Sequence, residues 1–280
     1  MVSGVMPCRL SKTGIFWARA MIRLTLLWTL SLFAFPLLVI QAWYAKRNAV
    51  RLPEGKGPRE GRCLSVEKDH SLKSNPPEPE NYFSVLGIGD SVTAGVGCRT
   101  MAESLVPRIA FHLSQSLDRA VEWRVYAANG ARLAEIQTMV AGVPLQSRVN
   151  LVVVSAGVND VTNLTSLMRW QLELAGFLFE LREKFACPVV ILDLPPMGNF
   201  TAVPQPLRFV LGVRAAMLSR VLIKLSGRLP WVSIFSFGKE SISKSLADDG
   251  YHPSPEACED MARMLVRQVT EADLFSLSSH

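Results

Sequence analysis

From Tyr82 onward the chain alternates between two kinds of segment, and this alternation limits its fold more than any other feature. Short apolar runs at Phe83–Ile88, Trp123–Ala127, Leu151–Ser155 and Val189–Leu192 have the length of buried strands, and a weaker fifth run lies at Trp231–Phe235. Helical patterns separate them, near Glu103–Leu117, Leu133–Val140, Ser166–Phe185 and Leu207–Leu225, with a last one from Pro255 to about Thr270. Short strands alternating with helices imply a three-layer α/β/α sandwich around a mainly parallel, five-stranded sheet. Sites in such sheets form beyond the carboxyl ends of the strands, so polar motifs there are where chemistry is expected.

The charge is unevenly divided. Residues 1–62 carry ten Lys/Arg against two Asp/Glu, while the rest of the 280-residue chain carries twenty against twenty-two. The excess positive charge therefore flanks the N-terminal apolar segment, and no basic stripe interleaved with aromatics marks the remainder as a nucleic-acid binder. The five cysteines, Cys8, Cys63, Cys98, Cys187 and Cys258, include no C-x-x-C pair. That spacing argues against a disulfide framework and a zinc site, and for free thiols in or near the core.

From Leu24 to Tyr44 no residue is charged. As one helix these 21 residues would extend about 31 Å, enough to cross the hydrocarbon core. Trp28 lies near one end and Trp43 and Tyr44 at the other, with Pro36 between. A cleavable signal peptide would end in small residues, but the run ends in Gln41-Ala42-Trp43-Tyr44-Ala45, so an uncleaved anchor over residues 24–45 fits better. Arg9, Lys12, Arg19 and Arg23 precede it and Lys46, Arg47, Arg51, Lys56, Arg59 and Arg62 follow, a balance that leaves the side of the α/β domain undecided. The expected organisation is a basic segment (1–23), a transmembrane anchor (24–45), a linker (46–80) with Pro53, Pro58, Pro76, Pro77 and Pro79, and the α/β domain (81–280). On this plan, removing residues 1–50 leaves a soluble, active domain.

The first strand ends in Gly87-Ile88-Gly89-Asp90-Ser91-Val92-Thr93, the second in Ala128-Asn129-Gly130-Ala131, and the third in Ser155-Ala156-Gly157-Val158-Asn159-Asp160. Taken singly, each is also compatible with a tight turn or a helix cap. The stretch at Ser91 is not the G-x-S-x-G elbow, since Thr93 stands two residues on, nor is it a phosphate loop or a dinucleotide fingerprint. Near the C-terminus, Asp249 and His252 lie three apart among prolines, in Asp248-Asp249-Gly250-Tyr251-His252-Pro253. Of four histidines, His252 alone sits on a loop beside a carboxylate, which makes it the candidate general base; a serine needs such a base to become a nucleophile.

These four segments resemble the four sequence blocks of the SGNH (GDSL-like) hydrolase superfamily, in that family's order, over roughly residues 82–272. The resemblance implies Ser91 as nucleophile, His252 as general base and then acid, and Asp249 orienting the imidazole, with Asp248 as a substitute. It implies an oxyanion hole from the backbone N–H groups of Ser91 and Gly130 and the side-chain amide of Asn159. Asp90 and Asp160 would be structural. No metal or cofactor is implied. The expected partners are a small-molecule, lipid or carbohydrate ester and a membrane held through the N-terminal helix. The leading function is an esterase or thioesterase; an acyltransferase on the same machinery and a catalytically silent membrane-bound binding module are the alternatives. The stretches Leu194–Phe200 and Pro204–Pro206 are expected to line the substrate pocket.

Overall fold

The computed structural model describes residues 12–31, 33, 35–64, 82–144, 148–236, 246–272 and 274. Among them, six strands form one sheet: β1 (Glu60–Cys63), β2 (Phe83–Gly89), β3 (Val121–Ala127), β4 (Leu151–Ser155), β5 (Val189–Leu192) and β6 (Val232–Phe235), in the spatial order β1-β3-β2-β4-β5-β6. All neighbours are parallel except β1 and β3. Strands β2, β4 and β5 are buried along their whole length, which is why they read as continuous apolar runs rather than alternating ones.

The helices of the sandwich are α3 (Leu105–Ser116), α4 (Leu133–Gly142), α5 (Val158–Thr162), α6 (Leu167–Phe185), α7 (Leu207–Ser226) and α8 (Pro255–Glu271). Helices α4, α6 and α7 cover the sheet face that carries Leu86, Ile88, Val152, Val154 and Ile191. On the opposite face, α3 and α8 pack over Val85, Leu151, Val153 and Val190. Local chemistry sets the helix starts. Ser166 caps α6 by accepting from the Arg169 N–H, and Ser254 caps α8 by accepting from the Ala257 N–H, with Pro255 at the first helical position.

The structure departs from the sequence reading in two places. The sheet has six strands, not five, and β1 falls within the stretch read as linker. Glu60–Cys63 pairs antiparallel with β3 at the sheet edge, and the Arg62 guanidinium lies 4.8 Å from the Tyr82 ring centroid. An edge strand with neither face fully buried needs no apolar period, so its sequence carries no strand signal. Residues 65–81 of the expected linker lie outside the described residues.

The N-terminal run is likewise not one straight helix. Helix α1 (Lys12–Ser31) and helix α2 (Phe35–Asn48) meet at 87° across a short break. Among the described residues no single helix is long and apolar enough to cross a membrane. Pro36 explains the break: it lacks an N–H and its ring clashes with the preceding turn, so it starts a helix more readily than it continues one. Both helices pack on α7. Trp28 lies against the core with the buried Arg214 guanidinium 4.9 Å from its ring centroid, and Leu38 is buried. Gln41 binds the chain just before α7, donating to the Gln205 carbonyl at 2.6 Å and accepting from the Leu207 N–H at 3.0 Å.

Candidate active site

Ser91 lies just past the end of β2, in a run of turns rather than at the head of a regular helix. The turn is closed from within: the Ala94 N–H donates to the Asp90 carbonyl and the Val96 N–H to that of Ser91. A buried polar cluster fixes its base. The Ser155 hydroxyl donates to Asp90 Oδ1 at 2.7 Å and accepts from the Thr93 hydroxyl, also at 2.7 Å, while the Val92 N–H donates to the same Asp90 oxygen. Gly89 is required here, because a Cβ would come within 2.5 Å of the Ser155 carbonyl on the adjacent strand.

The histidine arrives from the loop before α8. Leu246 and Pro253 form an isolated bridge and the Ala247 N–H donates to the His252 carbonyl, which closes the loop. Gly97 lets the two segments meet: its φ is 98°, and a Cβ there would lie 2.6 Å from the Pro253 carbonyl. The result is a continuous chain of polar contacts. His252 Nε2 stands 2.8 Å from Ser91 Oγ, and His252 Nδ1 stands 2.5 Å from Asp249 Oδ2. Asp249 Oδ1 accepts from the backbone N–H groups of Tyr251 and His252. A carboxylate only accepts, so Nδ1 carries the ring proton and Nε2 is left to accept from the serine hydroxyl. It is Asp249, not Asp248, that meets the imidazole.

Electrostatics separates the two aspartates of the site. Burial pushes the Asp249 carboxyl up, but the bonds it accepts from the His252 ring and from the two backbone N–H groups outweigh this and hold it below the ordinary value. Asp90 goes the other way: burial raises it despite its bonds with Ser155 and Val92. Asp160 is raised by burial too; its carboxylate accepts from the Leu133 N–H at the start of α4 and from the Thr165 hydroxyl, a structural task.

Gly130 follows β3 and Asn159 opens α5 after β4, so both lie at the strand ends that surround Ser91. The N–H groups of Ser91 and Gly130 donate to no other atom among the described residues. One Asn159 amide hydrogen goes to the Ala131 carbonyl at 3.0 Å, leaving the second for another acceptor. Three N–H groups thus remain uncommitted at the carboxyl ends of β2, β3 and β4.

A family model for the GDSL-like Lipase/Acylhydrolase family matches residues 88–259, well over half of the chain and inclusive of all these groups. The chain belongs to this family. A GDSL-like esterase of Mycobacterium tuberculosis is 31% identical over 151 residues, which span 51% of this chain and 46%, under half, of that relative. Among solved structures, the lipase/acylhydrolase of Enterococcus faecalis superposes with a TM-score of 0.55 at 18% identity, covering 68% of this chain and 96% of its own. The psychrotrophic esterase EstA of Pseudoalteromonas gives 0.52 at 14%, covering 68% and 98%. At such identities the likeness is one of fold.

A cavity of about 720 Å³ opens over Ser91, Asn159 and His252. Its walls are mostly apolar and include Leu194, Met197, Phe200 and Leu207, so the Leu194–Phe200 stretch does reach the pocket, whereas Pro204–Pro206, also expected there, is not part of the lining, which passes from Val203 to Leu207. The sequence reading missed the opposite wall. Trp28 of α1 and Phe35, Leu38, Val39, Ala42 and Ala45 of α2 line the same cavity. Those α2 positions recur three or four apart along one side of the helix, but Leu37, Ile40 and Trp43 make the other side as apolar, so the sequence does not single them out.

Proposed function

We propose that this chain is a carboxylic ester hydrolase in which Ser91 Oγ attacks the acyl carbon. His252 Nε2 takes the hydroxyl proton and returns it to the departing alcohol or thiol. The acyl-serine ester is then cleaved by water, which gives one proton to His252 and its oxygen to the acyl group, and the serine regains its hydrogen. Asp249 keeps the imidazole in the tautomer that accepts from serine and balances the imidazolium that forms in each half. The N–H groups of Ser91 and Gly130 and the amide of Asn159 face the oxygen on which negative charge develops. The observation that carries this reading is the unbroken line from Ser91 through His252 to Asp249, opening into one cavity.

The cavity walls suit an apolar acyl group. The N-terminal segment, apolar and flanked by basic residues, supports attachment to a membrane. A series of p-nitrophenyl esters of increasing chain length tests the reading, each measured with and without a candidate acceptor alcohol. Acyl release to water on medium to long chains is expected. Acyl transfer mainly to the acceptor, or turnover of no ester, would overturn it.

A further inference from the structure

The outward side of α1 and α2 is as apolar as the side that lines the cavity. Leu26, Leu30, Phe33, Leu37 and Ile40 are all exposed, Phe33 at 89% and Ile40 at 62%, and they follow the bend from one helix to the other. A monomer does not ordinarily leave so continuous an apolar surface in water. Neither arm suits a span. The apolar part of α1, Arg19–Leu30, is about 18 Å long and α2 about 21 Å, against a hydrocarbon core of about 30 Å, and the two are bent by 87°.

The charges make sense of that bend. Arg19 and Arg23 lie on one arm, and Lys46, Arg47 and Arg51 lie at the end of the other, all exposed. In a straight span these two sets would face opposite sides of the membrane, and their near balance would leave orientation unspecified. In a wedge that enters one leaflet, both sets sit in the same headgroup layer, where an anionic surface attracts them. Trp43 and Tyr44, both exposed beside Lys46 and Arg47, stand where aromatic side chains favour the interface.

The cavity mouth lies on this same surface. Phe35 and Val39 line the cavity with Ser91 and His252, yet each is at least half exposed, as is Leu164 on the rim formed by the chain after α5. We infer that α1 and α2 form a wedge that docks in one leaflet of an anionic phospholipid bilayer and opens the pocket to it, so that the substrate is a membrane-lipid acyl ester. The substrate part of this inference rests on the proposed role of Ser91; the docking part does not.

The test uses the full chain with vesicles of phosphatidylcholine alone or with one quarter phosphatidylglycerol. Flotation, acyl release from the vesicle lipid and turnover of water-soluble p-nitrophenyl acetate are measured together. Wild type floats with the anionic vesicles, less so at high salt, and releases acyl chains from them. The triple variant Leu30→Ser/Phe33→Ser/Ile40→Ser, altered only at exposed positions outside the cavity lining, loses flotation and vesicle hydrolysis by about tenfold or more while p-nitrophenyl acetate turnover stays at the wild-type level. Ser91→Ala floats like wild type and releases no acyl chains. Docking is overturned if wild type stays unbound, if the triple variant floats undiminished, or if this face instead pairs two copies in solution. A tag at the N-terminus that is protease-protected while the catalytic domain is digested would show a span and overturn the wedge. Turnover of no p-nitrophenyl ester of any chain length, with flotation intact, would instead sink the active-site reading and leave docking standing.

Discussion

Asp249 holds His252 at two points: Oδ2 meets the ring Nδ1 at 2.5 Å, and Oδ1 accepts the backbone N–H of the same residue at 3.0 Å. One carboxylate thereby fixes both the loop and the tautomer of the ring it carries. Asp249→Asn keeps the size but offers a donor where Nδ1 also donates, so the ring turns or changes tautomer and Nε2 no longer accepts from Ser91. A loss in kcat of about 10³–10⁴, with KM little changed, is expected from steady-state kinetics. A loss of only a few-fold would give the orienting role to another group.

Two aspartates a short distance apart in the site give stability opposite pH dependences. The Asp249 carboxyl is held below its ordinary value of 3.8 in the folded chain, so its contribution is complete above about pH 4 and is lost as pH falls through the folded value. The Asp90 carboxyl is raised above 3.8, so its contribution is complete below that pH and fades as pH rises through the raised value. Relative to wild type, Asp249→Asn should therefore lose stability, and Asp90→Asn gain it, as pH is raised from 3 to 7. Urea midpoints across that range check both signs.

Asn159 offers the site a hydrogen that the fold does not consume, since one amide N–H already serves the Ala131 carbonyl. Asn159→Ala should lower kcat by about 10²–10³ and leave KM nearly unchanged, because the missing bond forms only as charge develops on the carbonyl oxygen. A rise in KM with kcat intact would make it a substrate-binding residue instead.

The N-terminal helices supply one wall of the pocket, so removing residues 1–50 does more than detach an anchor. It exposes apolar surface on α7, frees the Leu207 N–H from Gln41 and strips Trp28 from Arg214. The truncated chain should melt at a lower temperature and lose turnover of long-chain p-nitrophenyl esters far more than of the acetate. Equal activity across chain lengths would show that α1 and α2 do not contact the acyl group.

The sheet was legible because burial on both faces leaves a plain mark: β2, β4 and β5 are uninterrupted apolar runs whose ends fell within a residue of the expected ones. The motifs at Ser91, Gly130 and Asn159 were legible because each follows the carboxyl end of a strand, and the one before α8 because Asp249 and His252 stand three apart among prolines. Edge strand β1 was invisible, since Glu60–Cys63 is held by backbone pairing with β3 and presents no apolar face. The bend between α1 and α2 was hidden for a different reason. Hydrophobicity on both sides of a helix reads alike whether the two sides meet lipid, protein or one of each, and only the packing on α7 shows which side of Trp28 and Leu38 turns inward. The cluster of Ser155, Asp90 and Thr93 joins the last residue of β4 to the turn after β2, and such a contact has no signature along the chain.

The most direct test of an imidazole-activated serine is covalent labelling. The full chain is treated with a fluorophosphonate probe, digested and read by mass spectrometry, beside Ser91→Ala and His252→Ala. The expected result is one adduct, on the peptide that contains Ser91, absent from Ser91→Ala and formed about 10³-fold or more slowly in His252→Ala, with ester turnover lost in parallel. An adduct on another residue, or near-normal turnover by Ser91→Ala, would contradict it.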